Sequence, residues 1–203
     1  MEKNILKKIF LSILIFSFGY QSISKSDEIS EFSINGMKVG ESLLNYIDEE
    51  KILANVQDWY SKKGILPILF DANLFGVKDY DKIEFNVKTN DKNYIIEFLA
   101  GIKTPIEIEN CYKNQKEIME TLKVIFANSS GLKIGDITKY NHGADKSGKS
   151  SYTRGFFRFE SGDEISIDCN NFSKETGWPN EMYVAIATKE FLTWFESGKS
   201  PYE

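Results

Sequence analysis

The chain has 203 residues, 41% of them hydrophobic and 14% aromatic, with a formal net charge of −5. That is ample for one sizeable core, so one domain is the default. The acidic balance argues against nucleic acid or an anionic lipid surface as the main partner, because both reward a basic face.

Residues 1–8 carry Lys3, Lys7 and Lys8, and residues 9–20 form an almost unbroken apolar run. Ser22-Ile23-Ser24 then puts small residues at the two positions a signal peptidase reads. This is the three-part layout of a secretory signal. The run falls short of the roughly 20 apolar residues a spanning helix needs, which places an uncleaved anchor second. No cysteine lies near the cut, so the chain does not read as a lipoprotein. The expectation is a signal peptide over 1–24 and a single domain over 25–203, periplasmic or secreted, without stable membrane insertion after cleavage. The mature chain carries a net charge of −7.

Residues 32–39 read as a short extended piece turning at Asn35-Gly36, followed by a short helix with Leu43, Leu44 and Ile47 on its apolar side. Asp48 can cap a second helix over 49–60, in which Ile52, Leu53, Val56 and Trp59 follow helical spacing. Residues 65–81 contain Pro67, Asn73 and Gly76 and read as irregular. Phe70, Leu74 and Phe75 make this stretch unusually apolar for a loop, so it packs within the domain or forms a lip that contacts a partner. Residues 83–88 alternate, with Ile83, Phe85 and Val87 inward, and residues 94–102 return as a partner strand. Residues 104–109 are a candidate third strand, with Pro105 favouring an edge. Asn110 is the expected cap of a long helix over 111–127, whose stripe is Ile118, Met119, Leu122, Ile125 and Phe126.

A strand near 134–141 and a polar loop lead into the clearest feature, the hairpin over 152–171. Phe157 and Phe159 alternate with Arg158 and Glu160, while Ile165 and Ile167 alternate with Ser166 and Asp168. An odd loop with Gly162 at a left-handed position keeps the two faces separate. Phe157 then faces Ile165, Gly155 faces Ile167 and Thr153 faces Cys169 on the buried side. On the other side Arg158 meets Glu164 and Arg154 meets Asp168, as exposed cross-strand ion pairs. Residues 182–187 read as an interior strand, and Thr188 caps a last helix. Antiparallel hairpins with helices inserted between them predict an α+β domain: a sheet of about six to seven strands with helices packed on one face.

Gly143–Ser150 (GADKSGKS) matches the phosphate-loop pattern G-x-x-x-x-G-K-S/T. That chemistry needs a helix after the loop, and here a strand pattern follows, so the stretch reads as a solvated loop. His142 is the only histidine, and no partners for a metal site or a triad stand at a recognisable spacing. Arg154 and Arg158 could alternatively flank Phe156 as an anion contact. Trp178, in a loop between Gly177 and Pro179, is a candidate partner contact. No catalytic, metal or cofactor constellation is read from the sequence.

Two cysteines in an exported chain predict a Cys111–Cys169 disulfide clamping the long helix to the hairpin. The stretches INGMKVGESLLNYI and GWPNEMYVAIATKEFLTWF, with the hairpin, resemble an uncharacterised exported family of marine alphaproteobacteria. That resemblance implies export and a shared fold, and no activity. The INGM turn leading into two short helices and a strand meander is also similar to domains of small envelope lipoproteins that assist outer-membrane assembly, although their lipobox cysteine is absent here. The functional expectation is a non-catalytic binding or interaction module whose partner is an envelope protein or a small ligand. The alternative is an envelope-acting hydrolase using exposed carboxylates such as Asp168 and Glu164. A shallow apolar groove would support the module, and a deep pocket of convergent acids the hydrolase.

Overall fold

The computed structural model describes residues 29, 32–60 and 62–197. The expected signal segment lies outside the described residues. Among those described, no helix is long and apolar enough to cross a membrane. The strands are β1 (Ile65–Asp71), β2 (Lys82–Lys88), β3 (Ile96–Lys103), β4 (Lys133–Asn141), β5 (Ser151–Arg158), β6 (Glu164–Asn171) and β7 (Glu181–Ala187). They form one antiparallel sheet in the order β1-β2-β3-β7-β6-β5-β4. Among the described residues three α-helices accompany it: α1 (Glu49–Ala54), α2 (Ile108–Ile125) and α3 (Lys189–Glu196). This is the expected α+β architecture.

Register divides the sheet into two chemically distinct faces, because directly opposed residues point the same way. One row runs Ile68, Phe85, Leu99, Ile186, Ile165, Phe157 and Ile134 across all seven strands. The first six are buried. α2 lies on this apolar face with Cys111, Gln115, Ile118, Met119 and Leu122 inward, a spacing that keeps one helical stripe against the strands. Gln115 is the polar member of the stripe. Its Nε2 donates to the carbonyls of Ile167 at 2.7 Å and Thr153 at 3.1 Å, and its Oε1 accepts from Thr153 Oγ1, which satisfies the buried amide.

The opposite face is polar. Its adjacent rows run Glu84, Ala100, Ala185, Ser166 and Phe156, then Asn86, Phe98, Ala187, Glu164 and Arg158. α3 docks on this side, where Phe191 meets Phe98 at 4.7 Å and joins Ile65 and Ala187 in a second small cluster.

The hairpin register is the expected one, pair for pair, from Thr153–Cys169 to Arg158–Glu164. Gly162 closes it at a φ of 95°, a backbone conformation L side chains rarely adopt. Four expectations need correction. The second helix stops at Ala54, because Asn55 and Gln57 hydrogen-bond to β1 instead (Leu69 N to Asn55 O, 3.1 Å; Gln57 N to Pro67 O, 2.9 Å). Residues 65–71 are a strand, not irregular chain. Residues 104–107 form no strand. The long helix begins at Ile108 after Glu107, three residues before the expected start. α2 and β6 bring the Cys111 and Cys169 sulfurs to disulfide distance, with their Cα atoms 5.9 Å apart.

Candidate functional site

The apolar face is not completely closed by α2. Beside the helix, a cleft of about 200 Å³ opens over the sheet. Its floor is Ile165, Val184 and Ile186, and one wall is Ile118 and Leu122 of α2. The other walls are two chain segments, residues 32–35 and 76–80.

Each wall has a local cause. Residues 34–37 form a tight turn, with Ile34 and Met37 exchanging backbone hydrogen bonds at 3.0 and 3.1 Å. Asn35 and Gly36 both have positive φ, the requirement of such a turn, and Asn and Gly meet it at least cost. Phe32 anchors this wall by packing its ring on Phe126, 5.0 Å between centroids. Asn35 Nδ2 donates to Phe75 O at 2.8 Å and so ties the two segments together. In the second segment the Tyr80 ring lies on β3 at Gly101, where a Cβ would come within 2.5 Å of it. Burial, with the neighbouring Asp79, pushes the Tyr80 phenol well above its ordinary value, so it stays protonated.

The cleft is lined mainly by C–H groups, with Ser33, Asn35, Lys78 and Asp79 as its polar members. It can exclude water from an apolar group, and its lining has no nucleophile paired with a base. Among the described residues, no group of three or more His, Cys, Asp or Glu is arranged to hold a metal ion.

The sequence-derived site residues fall in different places. Phe70 is buried in the core, and the Phe75 ring meets Phe70 and Phe85 edge-on at 5.5 Å each. Leu74 stays at the surface, 54% exposed. The apolar stretch 65–75 thus packs mostly inward, and the five residues after it line the cleft. Trp178 is 47% exposed, its ring edge-on to Phe172 at 5.2 Å, and it does not line the cleft. Sequence reasoning missed Tyr80. Gly101 inside a strand was the available signal, since such a glycine often marks close approach of another group.

Arg154 and Arg158 lie on the polar face and are occupied by carboxylates. Arg154 contacts Glu164 at 2.5 Å and Asp168 at 3.1 Å, while Arg158 contacts Glu164 at 2.7 Å and Glu196 at 3.0 Å. Glu164 is 1% exposed, so the expected picture of separate surface ion pairs gives way to a shared, largely buried network. Burial pushes the Asp168 carboxyl up, against the lowering effect of Arg154. Further along this face Glu84 is buried, and burial pushes its carboxyl up to about 7 although Asn86 Nδ2 donates to it at 2.7 Å.

The GADKSGKS loop folds around Asp145. Its carboxylate accepts from Ser147 N at 2.9 Å, Ser150 N at 3.0 Å and Ser150 Oγ at 2.6 Å, which holds it far below the usual carboxylate range. Amides that would cradle a phosphate are thus committed to an internal anion, and β5 follows directly instead of a helix.

No family model, characterised protein or solved structure matches this chain. The functional reading therefore rests on the chemistry of its own surfaces, and the apolar cleft is a concave one among them.

Proposed function

We propose that this protein is an exported binding module, periplasmic or secreted, that holds one apolar group of an envelope partner or small ligand in the cleft beside α2. The observation that carries the reading is the lining: Ile118, Leu122, Ile165, Val184 and Ile186 converge on one concave space. A dry apolar cavity of roughly 150 Å³ takes a benzene-sized guest. Drug-sized ligands use pockets of roughly 300–1,000 Å³. A cleft of about 200 Å³ lies between these, and suits a single aryl group or short alkyl segment as the anchor of a larger partner. Export is supported by the N-terminal layout, by the resemblance to an exported family and by two cysteines placed at disulfide distance.

The binding half is tested with an environment-sensitive naphthyl probe. Its emission is expected to shift to the blue with the wild-type chain and to stay unshifted with a Val184→Phe variant that fills the floor. Equal shifts in both would remove the cleft from the reading. The export half is tested by sequencing the N-terminus of exported material, expected to begin near Lys25; a mature protein still starting at Met1 would contradict it.

A further inference from the structure

Five rings run in sequence at the end of the sheet where β4 and β5 meet the loops 142–150 and 172–180. Tyr140 and Tyr152 are cross-strand partners, their rings stacked at 5.2 Å and 25°. His142 meets Tyr152 edge-on at 6.0 Å and Phe172 at 4.7 Å, and Phe172 meets Trp178 at 5.2 Å. The ends of the run are open: Tyr140 is 44% and Trp178 47% exposed. Polar side chains stand beside it, because Glu181, Asn170, Tyr152 and Tyr140 are consecutive partners in one register row of the polar face.

The two loops that present these rings are braced against each other. Ser173 N donates to Ser150 Oγ at 2.9 Å, and Ser150 in turn donates to Asp145. Lys149 pairs with Glu175 across the loops. Trp178 N donates to Thr176 Oγ1 at 3.1 Å, just after the left-handed Gly177. Exposed aromatics held this firmly lose little conformational freedom when they bind, which is the economy of a pre-organised site.

The composition selects the ligand. Burial pushes His142 below its ordinary value, so the ring run carries no charge at neutral pH. Aromatic faces receive C–H groups, and an adjacent amide and carboxylate receive hydroxyls. A pyranose ring has both features, one apolar face and a rim of hydroxyls. A nucleobase would also stack, but it would bring phosphates to a mature chain of net charge −7. The geometry points to a binding strip for a neutral glycan, with Tyr140 and Trp178 as stacking platforms and Asn170 and Glu181 as hydrogen-bonding partners. This strip is separate from the cleft and does not depend on it.

The test is calorimetric titration of the exported chain with three hexasaccharides: β-1,4-linked glucose, α-1,4-linked glucose and β-1,4-linked N-acetylglucosamine. At least one is expected to bind, and Trp178→Ala and Tyr140→Ala are each expected to weaken it by roughly tenfold. Leu53→Ala, a surface change on α1, is expected to leave it unchanged, and unfolding curves establish that each variant is folded. Absence of binding by all three sugars would overturn the proposal. Binding that survives both aromatic substitutions would overturn it as well. So would a proline-rich peptide that binds the strip where no sugar does.

Discussion

Arg154 Nη2 lies 2.5 Å from Glu164 Oε1, and that carboxylate is 1% exposed although it belongs to the face away from α2. Removing one partner of a buried pair leaves an uncompensated charge and costs about 3–5 kcal/mol, whereas an exposed cross-strand pair is worth roughly 0.2–1 kcal/mol. Arg154→Ala leaves Glu164 paired with Arg158 and removes the cation beside Asp168, so it is expected to destabilise by less than that full penalty, about 1–3 kcal/mol. A double-mutant cycle should give stronger coupling of Arg154 to Glu164 than to Asp168. Denaturant unfolding of the single and double variants measures both.

Glu84 sets a pH dependence with a definite sign. Burial raises its carboxyl from an ordinary 4.5 to about 7. Between those values the folded chain holds a proton that the unfolded chain has released, so stability falls as pH rises from 4.5 to 7 and levels off above. The full change is about 3 kcal/mol. Burial also raises the Asp168 and Glu181 carboxyls, which adds to the same slope, while the lowered Asp145 acts in the opposite sense only at more acidic pH, below the ordinary aspartate range. Glu84→Gln keeps an acceptor for Asn86 and is expected to flatten the decline. Unfolding free energies of both proteins at several pH values check it.

The register of the hairpin was legible in the sequence because alternation on both strands, a glycine at the turn and opposite charges all demanded one pairing, whereas the burial and sharing of Glu164 were not. β1 was not, because Ile65-Leu66-Pro67-Ile68-Leu69-Phe70 lacks alternation and contains a proline. Local pattern could not reveal that Asn55 and Gln57 would pair with it. That pairing also ended α1 early, as tertiary hydrogen bonds outweighed the helical spacing of Val56 and Trp59. The cleft was illegible for a similar reason. Its walls come from five separate stretches of chain, and only the register rows bring Val184 and Ile165 under Ile118.

The Cys111–Cys169 pair closes a sequence separation of 58. In the chain-entropy model such a loop is worth about 4 kcal/mol. Thiol counting on the unfolded, non-reduced protein is expected to find none, and reduction should lower stability by up to that amount. Two free thiols per chain would refute the bond.

Asp145 and Lys149 share a loop but differ in consequence. Lys149 forms an exposed pair with Glu175, so Lys149→Ala should change stability by at most about 0.5 kcal/mol and create or remove no nucleotide binding. Asp145→Ala strips partners from two amides and a buried serine hydroxyl, and is expected to lower the unfolding midpoint clearly. Thermal melts of the two variants compare them, and a nucleotide titration by calorimetry checks Lys149.

The cleft is tested most directly by methyl NMR. Spectra of the isoleucine, leucine and valine methyls are followed while a small aryl or alkyl probe, such as toluene or hexanol, is added to the protein. The expected result is saturable shifts centred on Ile118, Leu122, Ile165, Val184 and Ile186, absent in Val184→Phe. Methyls that do not respond, or shifts centred instead on surface residues such as Leu53 and Ile137, would contradict a binding role for the cleft.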